Sequence, residues 1–363
     1  MSARRLFSGL ALALSFASCL RPADDRAQRD LEVGHASVAA LDVHVTDGLA
    51  AVRSLTEQEL VLWGSAPGFE LVLHAEAPLR LELEIQNCLP EAELHVSAGS
   101  GSVTALGADA VPTRQRWQIQ LEAGETRLAL AAPDAQTGAP FQFALLSDVQ
   151  EAIVRVSDVF DKINEQPDVR FLLGAGDLTQ SGSRDELERY QRELLRLKVP
   201  YFTTLGNHEL GASPDLYHDY FGRSSFHFRF HGVAFTLLDD GSASLDPLVY
   251  DWLDRWLGDA QRDVHVVAMH IPPLDPIGVR NGAFASRSEA AKLLGRLAEG
   301  HVDLTLYGHI HSYYEFDNAG IPAFISGGGG AIPERFDGIG RHFMLFQADP
   351  SRGITAHGIV RVD

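Results

Sequence analysis

Cysteine is nearly missing from this chain: Cys19 and Cys88 are the only two. Cys19 falls in the leader described below, so the folded part keeps one thiol and no internal disulfide can staple it. The fold must therefore stand on its apolar core, and Cys88 reads as a small buried residue rather than a reactive one. Positive charge is also scarce. Lys and Arg number 30 against 49 Asp and Glu, a formal net charge of −19. That balance excludes a nonspecific grip on a nucleic-acid backbone, which needs clustered basic residues. It leaves room for a small phosphorylated substrate, because bound metal cations reverse the local field. The apolar run Leu6 to Leu20 is too short and too weakly flanked to read as a membrane span. Disorder is not the default either, since 45% hydrophobic and 22% charged residues are ordinary for a globular protein.

Arg4 and Arg5 precede that apolar run, so residues 1–19 read as an export signal. Phe16-Ala17-Ser18-Cys19 resembles a bacterial lipoprotein box, with Phe16 where Leu is commoner. The resemblance implies a lipid on Cys19 and a protein held at the membrane, in the periplasm or cell envelope. The alternative is cleavage at a nearby small residue without lipidation. Residues 20–35 are polar and read as a tether.

Residues 36–138 follow a period of two. Leu79, Leu81, Leu83 and Ile85 alternate with Arg80, Glu82, Glu84 and Gln86, and Trp117, Ile119 and Leu121 repeat the rhythm. Short strands with turn signals and no long helical stretch predict a small all-β sandwich. The run from Ala132-Pro133 to Gly138-Ala139-Pro140 has linker composition. In residues 141–363 strands alternate with helices. Apolar strands are predicted at Phe141–Leu146, Phe171–Leu173, Tyr201–Leu205, Val264–Met269 and Val302–Tyr307. Ser183-Arg184-Asp185-Glu186 and Ser286-x-x-Glu289 open helices between them. This is a mixed α/β domain.

Polar clusters stand where those strands end. Asp148 and Gln150 follow the first, Gly176-Asp177 the second and Gly206-Asn207-His208-Glu209 the third. His270 follows the fourth, and Gly308-His309-Ile310-His311 the last. In open α/β sheets, ligands bind beyond the carboxyl ends of strands, so the five clusters fall at one location. Taken singly each has a plain structural reading: Asp148 as a helix cap, His270 as a core histidine, Asn207-His208 as turn residues. Those readings must all hold together to displace the functional one.

In order and spacing these residues resemble the calcineurin-like metallophosphoesterase superfamily, whose pattern runs Asp-x-His, Gly-Asp, Gly-Asn-His-Asp/Glu, His, Gly-His-x-His. The resemblance covers the segment after Pro140 and implies two sandwiched β-sheets flanked by helices. It implies that Asp177 bridges two metals, that Asp148, Gln150 and His311 complete one site, and that Asn207, His270 and His309 complete the other. It also implies that a bridging hydroxide is the nucleophile, and that His208 is no ligand but stabilises the transition state or protonates the leaving group. A shared carboxylate suits two divalent ions about 3.5–4 Å apart. Nitrogen-rich ligation favours Zn, Mn, Fe or Co over Mg and Ca.

Two positions depart from the pattern. Gln150 stands where the family has His, and an amide oxygen is a weaker ligand. Gln180 stands where purple acid phosphatases have a ligating Tyr and many relatives have Asp, which leaves open what orients His208. Arg280 and Asn281, in the loop after His270, are candidates for contact with a substrate phosphate. The run Gly327–Gly330 either brings backbone close to the site or forms a turn. The expected function is metal-dependent hydrolysis of phosphate esters. The alternative is an exported lipoprotein with a weakened site that serves as a binding or scaffold module.

Overall fold

A computed structural model describes residues 23–211, 215–278, 282–334 and 338–363. The leader with Cys19, and the loop residues Arg280 and Asn281, lie outside the described residues. Residues 23–32, expected as part of a tether, instead form helix α1 (Ala23–Glu32). Its polar composition hides its anchor. The Arg26 side chain is buried and meets Asp239, 213 residues away, through Nε at 2.6 Å and a terminal nitrogen at 2.8 Å.

Ten strands follow: β1 (His35–Val38), β2 (Leu41–Val45), β3 (Ala50–Leu55), β4 (Glu59–Gly64), β5 (Phe69–Ala75), β6 (Leu79–Gln86), β7 (Glu93–Ala98), β8 (Gly101–Ala105), β9 (Arg114–Leu121) and β10 (Gly124–Ala131). They form two five-stranded sheets, ordered β1-β2-β5-β10-β7 and β3-β4-β6-β9-β8. The alternation seen in the sequence sets which face is buried. Leu81, Leu83 and Ile85 of β6 and Trp117, Ile119 and Leu121 of β9 turn into one core with Leu71, Leu73 and Leu128 of the other sheet.

The second part begins with β11 (Phe141–Leu146), α2 (Ser157–Asn164), β12 (Val169–Ala175), α3 (Arg184–Leu194), β13 (Tyr201–Thr204) and α4 (Asp215–Phe221). It continues with β14 (Phe226–Phe230), β15 (Val233–Leu238), α5 (Pro247–Asp259), β16 (Val264–Met269), α6 (Arg287–Glu299) and β17 (Leu304–Tyr307). It closes with β18 (Tyr313–Asn318), β19 (Ile321–Ser326), β20 (His342–Asp349) and β21 (Gly353–Arg361). One sheet runs β13-β12-β11-β20-β21 and the other β14-β15-β16-β17-β19-β18. Strands β11, β12 and β13 are mutually parallel, as are β15, β16, β17 and β19. Helices cover the outer faces, so β16 shows no apolar–polar alternation and is buried throughout, His265 included.

Between the two sheets lies an aromatic core: Phe143 stacks on Phe346 with centroids 5.2 Å apart, and Phe171 meets Phe235 edge to face at 5.3 Å. On the outer face of one sheet, Phe160 and Tyr190 pack against Leu172; on the other, Leu253 and Leu293 pack against Val267 and Met269. The helix starts behave as their sequences require. The Glu186 carboxylate accepts the Ser183 amide at 3.1 Å, and Ser286 Oγ accepts the Glu289 amide at 3.3 Å. These sheets, whose central strands are buried, hold the carboxyl ends of β11, β12, β13, β16 and β17 at one edge.

Candidate metal centre

The polar residues of the site sit just past strand ends, four of them on sharply bent backbone. Asp148, Gln150, Asp177 and His309 all have positive φ, at 59°, 47°, 54° and 69°. Non-glycine residues in this region cost on the order of 1 kcal/mol or more each. Four of them at one location mean that the surrounding hydrogen bonds hold the loops against their local preference. Two glycines make the approach possible. A Cβ on Gly206 would run into the Asp177 carboxylate, and one on Gly308 would run into Ser147 and Asp148.

The side chains converge in two groups that share Asp177. Asp177, His270 and His309 offer ligand atoms within 4.8 Å of one another, and so do Asp148, Asp177 and His311. His270 Nε2 lies 3.2 Å from Asp177 Oδ1 and 3.1 Å from Asn207 Oδ1, with His309 Nδ1 at 3.3 Å. In the other group, His311 Nε2 is 3.5 Å from Asp148 Oδ1. Gln150 belongs there too. Its Nε2 donates to Asp177 Oδ2 at 2.7 Å and lies 3.2 Å from His311 Nε2. A cation at this point would be met by Oε1, so ligation requires the amide to turn over.

Backbone carbonyls fix the imidazoles. His270 Nδ1 donates to the Ala175 carbonyl, and His311 Nδ1 to that of Ile332, each at 2.7 Å. Both rings therefore present Nε2 to the centre. His208 is oriented in the same way, with Nδ1 2.7 Å from the Gln180 carbonyl. The question raised by the missing side chain at position 180 thus has a backbone answer. His208 Nε2 stands 3.8 Å from Asp177 Oδ2, on the more accessible side of the centre. The glycine run comes close as well. The Gly329 amide donates to the Ser147 carbonyl at 2.8 Å, and the Ala331 amide to the Asp148 carbonyl at 2.9 Å.

Two buried carboxylates escaped sequence reasoning as site residues. Glu209 accepts the amides of Asp177 at 3.0 Å, Gly206 at 2.8 Å and Thr179 at 2.9 Å, and so locks two ligand loops together. Asp240 accepts the amides of His270 at 2.9 Å and Ile271 at 3.0 Å. Burial lifts both carboxyls to about 7, with Asp177 adding to the effect on Glu209. The available signals were the last residue of Gly206-Asn207-His208-Glu209 and the Asp239-Asp240 pair closing the apolar strand β15.

The electrostatics suit cations. Asp148 and Asp177 are wholly buried, and the described groups that offset their charge are imidazoles, hydroxyls and amides. Burial raises Asp148, whereas Asp177 stays well below the ordinary carboxylate range because His270 and His208 outweigh its burial. Burial disfavours the His270 imidazolium, but Asp177, Asp148 and Asp240 outweigh that and lift it to about 10. A proton is thus held where a metal ion would serve the same carboxylates. The mixed nitrogen and oxygen donors fit divalent transition metals.

The chain is similar to known proteins over this segment. Residues 141–313 match the family model described as calcineurin-like phosphoesterase. A 3′,5′-cyclic-nucleotide phosphodiesterase of Nostoc sp. is 28% identical over 163 residues, 41% of this chain and 58% of its own length. Purple acid phosphatase 22 of Arabidopsis thaliana is 27% identical over 203 residues, 49% of this chain and 45% of its own length. The chain thus spans about half the length of these relatives. The solved purple acid phosphatase PPD1 from yellow lupin shares the fold, with TM-score 0.53 at 12% identity, over 82% of this chain and 72% of its own. The segment from Phe141 to Tyr313 belongs to the calcineurin-like phosphoesterase family.

Proposed function

We propose that the protein hydrolyses phosphate esters at a centre for two divalent metal ions. The observation that carries this reading is the pair of donor groups sharing Asp177, built on strained loops at one edge of two sheets. Asp148, Gln150 and His311 would hold one ion, and Asn207, His270 and His309 the other, with Asp177 common to both. When bound, such a pair polarises a phosphoryl oxygen and brings the pKa of a water toward neutrality, which furnishes a hydroxide nucleophile. The chain's own residues do the rest. Glu209 and Asp240 hold the ligand loops by their amides. The Gln180 carbonyl keeps the proton of His208 on Nδ1 and turns Nε2 toward the substrate side. Protonated, that Nε2 gives its hydrogen to the leaving oxygen and stabilises charge in the transition state.

Aryl mono- and diesters, assayed beside nucleotides, sugar phosphates and phospholipid head groups with Mn, Zn, Co or Fe, test the proposal and sort monoesterase from diesterase activity. Hydrolysis of one class with metal and none after chelation is expected; inactivity across all four metals refutes it. Export and lipidation at Cys19 form part of the same reading. A lipid mass on the mature N-terminus, lost in Cys19→Ala, is the expected result.

A further inference from the structure

Away from the metal centre, a cavity of about 420 Å³ opens where α1, the β1–β2 end of the first sheets and helix α5 meet. Its floor holds Arg223, which is 8% exposed. A buried guanidinium ordinarily spends its donors on carboxylates. Among the described residues Arg223 makes one hydrogen bond, from a terminal nitrogen to the Asp47 carbonyl at 2.8 Å, and its buried Nε has no partner. No described carboxylate lies within 4.0 Å of it to form an ion pair. Its remaining support is the face of Trp252, with the guanidinium carbon 4.5 Å from the ring centroid. Burial lowers its pKa accordingly, only partly opposed by Asp30 and Asp47.

Two more arginines line the wall: Arg229, engaged by the Asp263 carboxylate at 2.7 Å, and Arg255, one turn along α5 from Trp252 and exposed. The acids that share the cavity, Asp30, Asp47 and Asp259, offset part of the charge, but none forms an ion pair with Arg223 among the described residues. Asp30 is committed to the amides of Ser224 at 2.7 Å and Ser225 at 2.9 Å and to His218 at 3.0 Å. Asp47 offers Arg223 its carbonyl, and Asp259 offers its carbonyl to Arg229. On a chain of net charge −19, a buried arginine without an ion pair among the described residues, beside an exposed one, is unusual.

We propose that this cavity binds a small molecule through an oxyanion group of phosphate or carboxylate type, gripped by Arg223 and Arg255 against the Trp252 face. The second terminal nitrogen of Arg223 has no hydrogen bond among the described residues, and a charge-assisted N–H donor of this kind suits such an oxyanion. The volume leaves space for an organic body beyond it. None of the candidate metal ligands lines the cavity, so the site stands apart from the proposed chemistry.

Calorimetric titration of the full, chelator-treated protein with inorganic phosphate, and separately with acetate, tests this without the metal centre as a competitor. One saturable site for either anion is expected, and the stronger of the two identifies the group. Arg255→Gln, on the surface, should weaken it roughly tenfold while leaving aryl phosphate hydrolysis by the metal-loaded protein unchanged. Arg223→Lys should weaken it further, because an ammonium cannot present the planar edge. No saturable binding of either anion, or equal affinity in both variants and the parent, overturns the proposal.

Discussion

Around Asp177, the half of the centre containing His270, His309 and Asn207 is built differently from the half containing Asp148, His311 and Gln150. The first has two imidazoles in contact, with His270 locked on both sides: its Nδ1 on the Ala175 carbonyl and its amide on Asp240. The second has one imidazole, a carboxylate steadied by Ser147, and an amide whose NH2 group bonds Asp177. On the proposed two-metal reading, the difference means that the two ions would be held with unequal grip. A shared carboxylate links the halves, while the third donor differs between them and would set the grip of its own half.

The sharpest break should come at the shared residue. Asp177→Asn weakens the charge that serves both halves, and turnover of an aryl phosphate should fall by roughly a thousandfold with loss of both ions by metal analysis. His208→Ala touches neither half's donors. It should lower turnover by about a hundredfold or more while metal content stays near that of the parent. Loss of both ions in that variant would mean that His208 is part of the scaffold instead.

Acidity should separate the halves next. With His270 protonated below about 10 in the metal-free protein, metal uptake in its half must displace that proton. Affinity there should therefore rise with pH below that value, about tenfold per unit for one proton displaced. Competition titrations with a chelating dye at several pH values read the slope. A flat profile would show that the proton is not where the geometry places it. Gln150→His, last, should tighten the weaker half by about tenfold and leave the other unchanged, since it restores an imidazole in place of an amide. Equal tightening of both halves would contradict their independence.

How much of this was legible in the sequence follows from which interactions are local. The ligand positions were visible because apolar strands such as Val264–Met269 end abruptly in polar residues, and strand ends share an edge. The β-sandwich was visible because Leu81, Leu83 and Ile85 alternate with charged residues. The supporting contacts were not, since they join residues far apart in the chain. The carbonyl that turns His270 belongs to Ala175, and the one that turns His311 belongs to Ile332; any residue type supplies a carbonyl. Helix α1 was masked for the same reason. Its average composition is that of a tether, and long-range contacts dock it: Arg26 with Asp239, and Asp30 with Ser224, Ser225 and His218. The Arg26–Asp239 pair stands next to Asp240, so the N-terminal helix braces the strand end that carries the His270 amide.

Titration of chelator-treated protein with Mn or Zn, following aryl phosphate hydrolysis and bound metal together, tests the central claim most directly. Two ions per chain should bind in unequal steps, with activity appearing as the second, weaker half fills. A plateau of activity at one ion per chain, or two bound ions with no hydrolysis of any ester, would contradict it.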